Sequence, residues 1–375
     1  MDPIGPIARR FPLMARPRPM CTPLHQRVVD LGERAYAAER DSDMAAASAV
    51  HNLAALLASD VGLPDLARQC CHQHAMAYLR ARPLGALAAI RALEPLVNLA
   101  RLHIRDDNGE HAFTVLDTLY TAVASRADTT VDGIPLPAAT LTVSPDAHQE
   151  VRRWLWAVLL ATGARALASA GRWNQAYTQL HRHKGIGRRI FDGRQVAVLA
   201  HATTGDTCGA LALLSDTLPG EPWENTVTAC LTALCRQHTA QLTDPEIATL
   251  LDRYRHLDIS PGLVVFHNRL GLSIIDAIGD IEHHTARRIA ADLVYRATTT
   301  RDGYTARDLL SHDGCASVLT DHQAHQLTET VNACALGSGA ISAQLQADLS
   351  AALRTVEAVL TRTLKHHSAS TQPAQ

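Results

Sequence analysis

Two stretches of this chain place the same small residues at the same distances, and they start 34 residues apart. GRWNQAYTQL, from Gly171, and GDTCGALALL, from Gly205, each carry Ala five residues after the Gly (Ala176, Ala210) and Leu four residues later (Leu180, Leu214). Small residues at such places let two helices approach closely, and the Gly releases the chain into a turn. A fixed period of this length is what stacked helix pairs impose, because each pair buries its apolar face only against the next. Composition agrees: the 375 residues include 62 Ala but only 15 aromatics, so the chain is rich in helix formers and thin in strand formers.

The apolar spacing is helical from residue 24. Leu24, Val28, Leu31 and Ala35 recur at three- and four-residue steps, and Asp41-Ser42-Asp43 offers caps for the next helix. Helices of about 12 to 20 residues then follow, joined by short Gly or Asp turns. Strand pattern is confined to VDGIPLP at 131–137, inside a loop-like insert at 126–146. After Gly337-Ser338-Gly339, residues 340–367 form one amphipathic helix striped by Ile341, Leu345, Leu349, Leu353, Val356, Leu360 and Leu364. A terminal repeat needs a cap, and this helix is the expected one; a homodimer through the same stripe is the alternative.

Asn-Leu-Ala occurs at Asn52-Leu53-Ala54 and again at Asn98-Leu99-Ala100. With the Gly-Ala-Leu phrases, this resembles the tetratricopeptide repeat family, in repeat proteins of the type common in actinobacteria. The resemblance implies an all-α fold: a right-handed α-solenoid of antiparallel helix pairs over residues 24–336, with the C-terminal capping helix. It also implies a concave groove in which Asn at the Asn-Leu position holds a peptide backbone. Set in register, the units put His51, Asn52, Glu94, Asn98, Arg101, Arg105, Arg165, Asp192 and Gln195 on that inner wall.

An amide suits such a site because it donates and accepts at once. Arg101, Arg105 and Arg165 add planar donors for carboxylates, so the expected partner is a protein or peptide bound as an extended, acidic segment. In the competing reading, Asn52 and Asn98 bond a neighbouring helix and the arginines face solvent. An enzyme on the same frame would use His312, Asp313, Asp321, His322 and His325 to hold a metal, or pair Cys315 with a histidine base. A third reading is a ligand-responsive regulator subunit without its own DNA-binding domain. No cofactor is expected: the basic run 181–189 lacks the spacing of a phosphate loop.

Residues 1–23 hold six prolines together with Arg9, Arg10, Arg16 and Arg18, a density that suggests a disordered, solvated arm. A second disordered tail is expected at 368–375. Thirty-five basic against 37 acidic residues argue against a general nucleic-acid binder. No signal-peptide pattern or obvious membrane run is found, and the eight cysteines form no C-x-x-C, so a cytoplasmic protein with reduced thiols is expected.

Overall fold

The computed structural model describes residues 1–237 and 241–370, with side chains up to Lys365. It is mostly helical, and its contacts divide it into two compact units, each assembled from separated stretches of chain. The first unit is Met1–Pro23 with Leu167–Cys334; the second is Leu24–Ala166 with the segment from Ala335 onward.

In chain order the elements begin with α1 (Pro6–Arg9), α2 (Leu24–Asp41), α3 (Met44–Val61), α4 (Pro64–Leu79), α5 (Ala86–Arg105) and α6 (Gly109–Ser125). A hairpin follows, β1 (Thr129–Val131) and β2 (Ile134–Leu136), then α7 (Pro145–Val158) and α8 (Ala164–Ser169). Next come α9 (Trp173–Arg182), α10 (Asp192–Thr203), α11 (Thr207–Ser215), α12 (Pro222–Arg236), α13 (Asp244–Arg255) and α14 (Val264–Ile278). The chain ends in α15 (His284–Thr300), α16 (Gly303–Leu310), α17 (Asp313–Ser317), α18 (Asp321–Ala333) and α19 (Ala343–Ser370). Among the described residues β1 and β2 are the strands, and they fall in the 126–146 insert.

In the second unit α2 packs on α3, α3 on α4, α4 on α5, and α5 on α6 and α7. Asp43 caps α3 by accepting from the amides of Ala45 and Ala46, as its place before the helix predicts. Leu24, Val28, Leu31 and Ala35 are all buried, as are Ala54 and Ala100 of the two Asn-Leu-Ala phrases. α3 alone among the described helices is long and apolar enough to cross a membrane, and 56% of that window is buried inside the protein.

The C-terminal helix, expected as a cap, belongs to the second unit. α19 returns to the start of the second unit and packs on α2, α3 and α4. The return is anchored at the end of α3, where the amides of Gly337 and Gly339 donate to the carbonyls of Asp60 and Val61 at 2.8 Å each. These carbonyls lack helical partners of their own, so the Gly-Ser-Gly break completes that helix end. Of the stripe expected to cap or to dimerise, Leu349, Leu353, Val356, Leu360 and Leu364 are buried and Ile341 and Leu345 partly so.

In the first unit α9 packs on α10, α10 on α11, α11 on α12, α12 on α13 and α14, α14 on α15, α15 on α16, and α16 on α18. The two phrases separated by 34 residues fold alike. Gly171 and Gly205 take positive φ (72° and 85°), and Arg172 and Asp206 each donate back to the residue five before, at 2.9 Å. Ala176 and Ala210 are fully buried.

If α19 is core rather than an oligomer seam, Leu360→Ala should cost about 2–5 kcal/mol of unfolding free energy in urea. The midpoint should not depend on protein concentration.

Candidate functional site

The first unit is organised around the arm. Residues 1–23, expected to be disordered, lie against it with Ala8, Phe11, Leu13 and Cys21 buried, while Asp2–Ile4, Pro6, Arg9 and residues 16–19 face outward. Proline prevents a long helix here but leaves carbonyls and apolar side chains to be used, and the unit meets them with side chains rather than with a regular ladder. Trp173 Nε1 donates to the carbonyl of Pro3 at 2.8 Å. Ile4 presses on Gly171, where a β-carbon would stand 2.6 Å from its Cγ2, so Gly serves both the turn and the close approach.

Gln195 makes the most telling contact. Its Oε1 accepts from the amide of Leu13 at 2.7 Å, and its Nε2 donates to the carbonyl of the same residue at 2.7 Å. The Nε2 also donates to the carbonyl of Ile190 at 2.8 Å, which holds the amide in place. One side chain thus grips both main-chain groups of one residue of an extended segment, and it is fully buried. The neighbouring Asp192 accepts from Arg16 at 2.6 Å. Further along, the amide of Arg18 donates to the carbonyl of Gly262 at 2.9 Å. Cys21 closes the path: its amide donates to buried Asp302 at 2.9 Å, and its carbonyl accepts from Gly303 N–H at 2.8 Å and from Cys334 Sγ at 2.9 Å.

Arg10 is the charged anchor. Its side chain is 12% exposed, and it pairs with Asp276 and donates from Nε to Ser273 Oγ at 3.2 Å. Burial holds its guanidinium down at about 10, which records the cost of taking the cation out of water. Asp276 also meets His312, whose Nε2 lies 3.1 Å from Oδ1. His312 Nδ1 accepts from the amide of Cys315 at 3.1 Å as the cap of α17, so Nε2 is left as the donor toward Asp276. Burial, with the Arg10 charge adding to it, pushes His312 down to about 4.

The residues of the enzyme reading lie in different surroundings. His312 is buried with both nitrogens engaged, while Asp313, Asp321, His322 and His325 are exposed and His325 pairs with Glu329 at 3.2 Å. Cys315 is fully buried and its thiol is pushed up to about 12, chiefly by burial, which is the opposite of an activated nucleophile. The five residues do not converge, because they cap and face separate helix ends of α17 and α18. Among the described residues the metal-ligating side chains that do converge are His103, His111 and Asp132.

The remaining wall residues lie in the second unit and bond chiefly to each other. Asn98 Nδ2 donates to Asn52 Oδ1 at 2.9 Å, and Arg101 donates to Asn98 Oδ1 at 2.8 Å. Asn52 also hydrogen-bonds Glu94, whose carboxyl burial nevertheless pushes up. Arg105 and Arg27 grip the two oxygens of Asp60 at 2.6 Å each, and the Asp60 side chain is 2% exposed. Arg165 has polar contacts of its own within the chain. His51 is no wall residue: it is buried and stacks on His74, ring centroids 5.1 Å apart and 9° from parallel. Gln195 and Asp192, expected on a groove wall, are buried and engaged by the arm, and Arg10, Asp276 and Asp302 were not among the expected site residues. The signal for Arg10 was an arginine beside Phe11 and Leu13 in an arm otherwise read as solvated.

Comparison with protein-family models, with curated proteins and with solved structures returned no match.

Two outcomes follow from this geometry. Gln195→Leu orphans the buried main-chain groups of Leu13, each worth about 1–3 kcal/mol, so the variant should unfold at lower denaturant than the parent. Burial also holds His51 near 4 and His74 near 3, against about 6.5 for an ordinary histidine. The unfolded chain therefore takes up protons that the folded chain refuses, and stability should fall as pH drops from about 6.5 to 4. A His51→Leu variant, followed by thermal unfolding across that range, should lose less.

Proposed function

We propose that the chain is a non-catalytic helical-repeat scaffold, its helix pairs stacked as in tetratricopeptide repeats, and that the first unit is a seat for an extended peptide. The observation that carries this reading is the grip of Gln195 on both main-chain groups of Leu13. It is the role that the resemblance assigns to an amide on the inner wall, filled here by the chain's own arm.

The arm defines the chemistry of the occupant. It is proline-interrupted, inserts Phe11 and Leu13 as apolar anchors, and gives Arg10 and Arg16 to Asp276 and Asp192. A partner segment using this seat is therefore basic and apolar. The expectation of an acidic partner rested on Arg101, Arg105 and Arg165, and the first two are engaged by Asn98 and Asp60. The arm then acts as the resident ligand, and a partner carrying the same pattern exchanges with it.

Exchange can be measured with a protease site inserted between Pro23 and Leu24, so that the arm can be cut after folding. A labelled synthetic peptide of residues 1–23 should then enter the cut protein, read by fluorescence anisotropy. Asp276→Asn should weaken its binding by roughly tenfold or more, the scale of a charge-assisted contact of about 1.5–3 kcal/mol. A cut arm that never exchanges with excess peptide would make it a permanent strut and remove the binding reading.

A further inference from the structure

The hairpin of the 126–146 insert brings a carboxylate to two histidines. Asp132 and Gly133 form its two-residue turn, both with positive φ (47° and 82°), the geometry that suits tight hairpins. Gly133 lets the turn lie against His72, whose Cε1 is 3.6 Å from where a β-carbon would stand. His103 comes from the last turn of α5 and His111 from the first turn of α6. His103 Nε2 is 3.1 Å from one oxygen of Asp132, and His111 Nε2 is 3.6 Å from the other. The two imidazoles meet edge to face, 83° apart with centroids at 4.4 Å.

We propose that His103, His111 and Asp132 form a site for a divalent first-row transition metal, with Zn²⁺ the first choice. Two imidazoles and a carboxylate are the donor set of such borderline cations. A tetrahedral Zn²⁺ with bonds of about 2.0–2.1 Å holds its ligands about 3.3–3.4 Å apart. The two observed separations bracket that spacing, and all three ligand atoms lie within 4.8 Å of one another. A structural hydrogen bond would account for His103 against Asp132. A second histidine, His111, is turned onto the other oxygen of the same carboxylate, so two imidazole nitrogens and a carboxylate face one another.

Access favours the same conclusion. The side chains of His103 and Asp132 are 11% and 18% exposed, whereas that of His111 is 45% exposed. The protein thus supplies three donors from one side and leaves the fourth position toward water. A bound metal adds a tie between the insert, whose Val131, Ile134 and Leu136 are already buried, and the packed pair α5 and α6.

The test uses the full-length protein, stripped with chelator, dialysed, and titrated with Zn²⁺ by calorimetry. A parallel titration with Co²⁺ follows the visible absorption of a low-coordinate site. The expected result is one metal per chain with a dissociation constant in the micromolar range or below, weakening as acid protonates the imidazoles. His111→Ala and Asp132→Asn should each weaken binding by roughly tenfold or more and remove the Co²⁺ band, with the far-UV circular dichroism unchanged. His283→Ala, at an adjacent histidine pair elsewhere, should leave affinity as it was. Absence of stoichiometric uptake overturns the site, as does uptake that survives both His111→Ala and Asp132→Asn in folded protein.

Discussion

A guanidinium taken out of water must be met by a carboxylate, and the first unit is arranged around one such meeting. Arg10 pairs with Asp276, Asp276 takes His312, and His312 caps α17. The chain of contacts links the arm to α14 and α17 in three steps. Removing Arg10 would leave Asp276, only 20% exposed, without its cation and beside a neutral imidazole, which is the costly way to break such a pair. The rest of the arm follows from that anchor. Gln195 grips Leu13 three residues on, and Asp302 takes Cys21 where the arm ends.

The second unit has an equivalent in Asp60, nearly inaccessible and held by Arg27 and Arg105. It sits at the end of α3, where the Gly337–Gly339 break also docks. A charge that would be expensive alone is paired twice, and the same few residues fix where α19 returns. Both units are therefore closed by stretches of chain far away in sequence. That is more than nearest-neighbour stacking of repeats supplies, since such stacking is local by construction.

The local code was readable. The 34-residue phrase predicted two turns that fold alike, the three- and four-residue spacing predicted α2, and Asp43 predicted the cap of α3. These features depend on neighbours within a few residues, which a sequence displays directly. What was not readable depends on partners far away. Proline density in residues 1–23 reads as disorder unless Gln195, Asp276 and Asp302 are known to stand opposite. Likewise the α19 stripe looks the same whether it caps, dimerises or returns to α2. His103 and His111 flank one turn, and their significance emerges only when the Asp-Gly hairpin brings Asp132 to them. The amides of Asn52 and Asn98, expected to hold a peptide, spend hydrogen bonds along a row with Glu94 and Arg101.

The central claim is that the proline-rich arm, with its one short helix α1, is held against the first unit by side chains. Amide hydrogen exchange of the intact chain at neutral pH tests it most directly. The amides of Leu13 and Cys21, bonded to Gln195 and Asp302, should exchange far more slowly than unfolded peptide. Exchange at unfolded rates throughout residues 1–23 would contradict the account and return the arm to solvent.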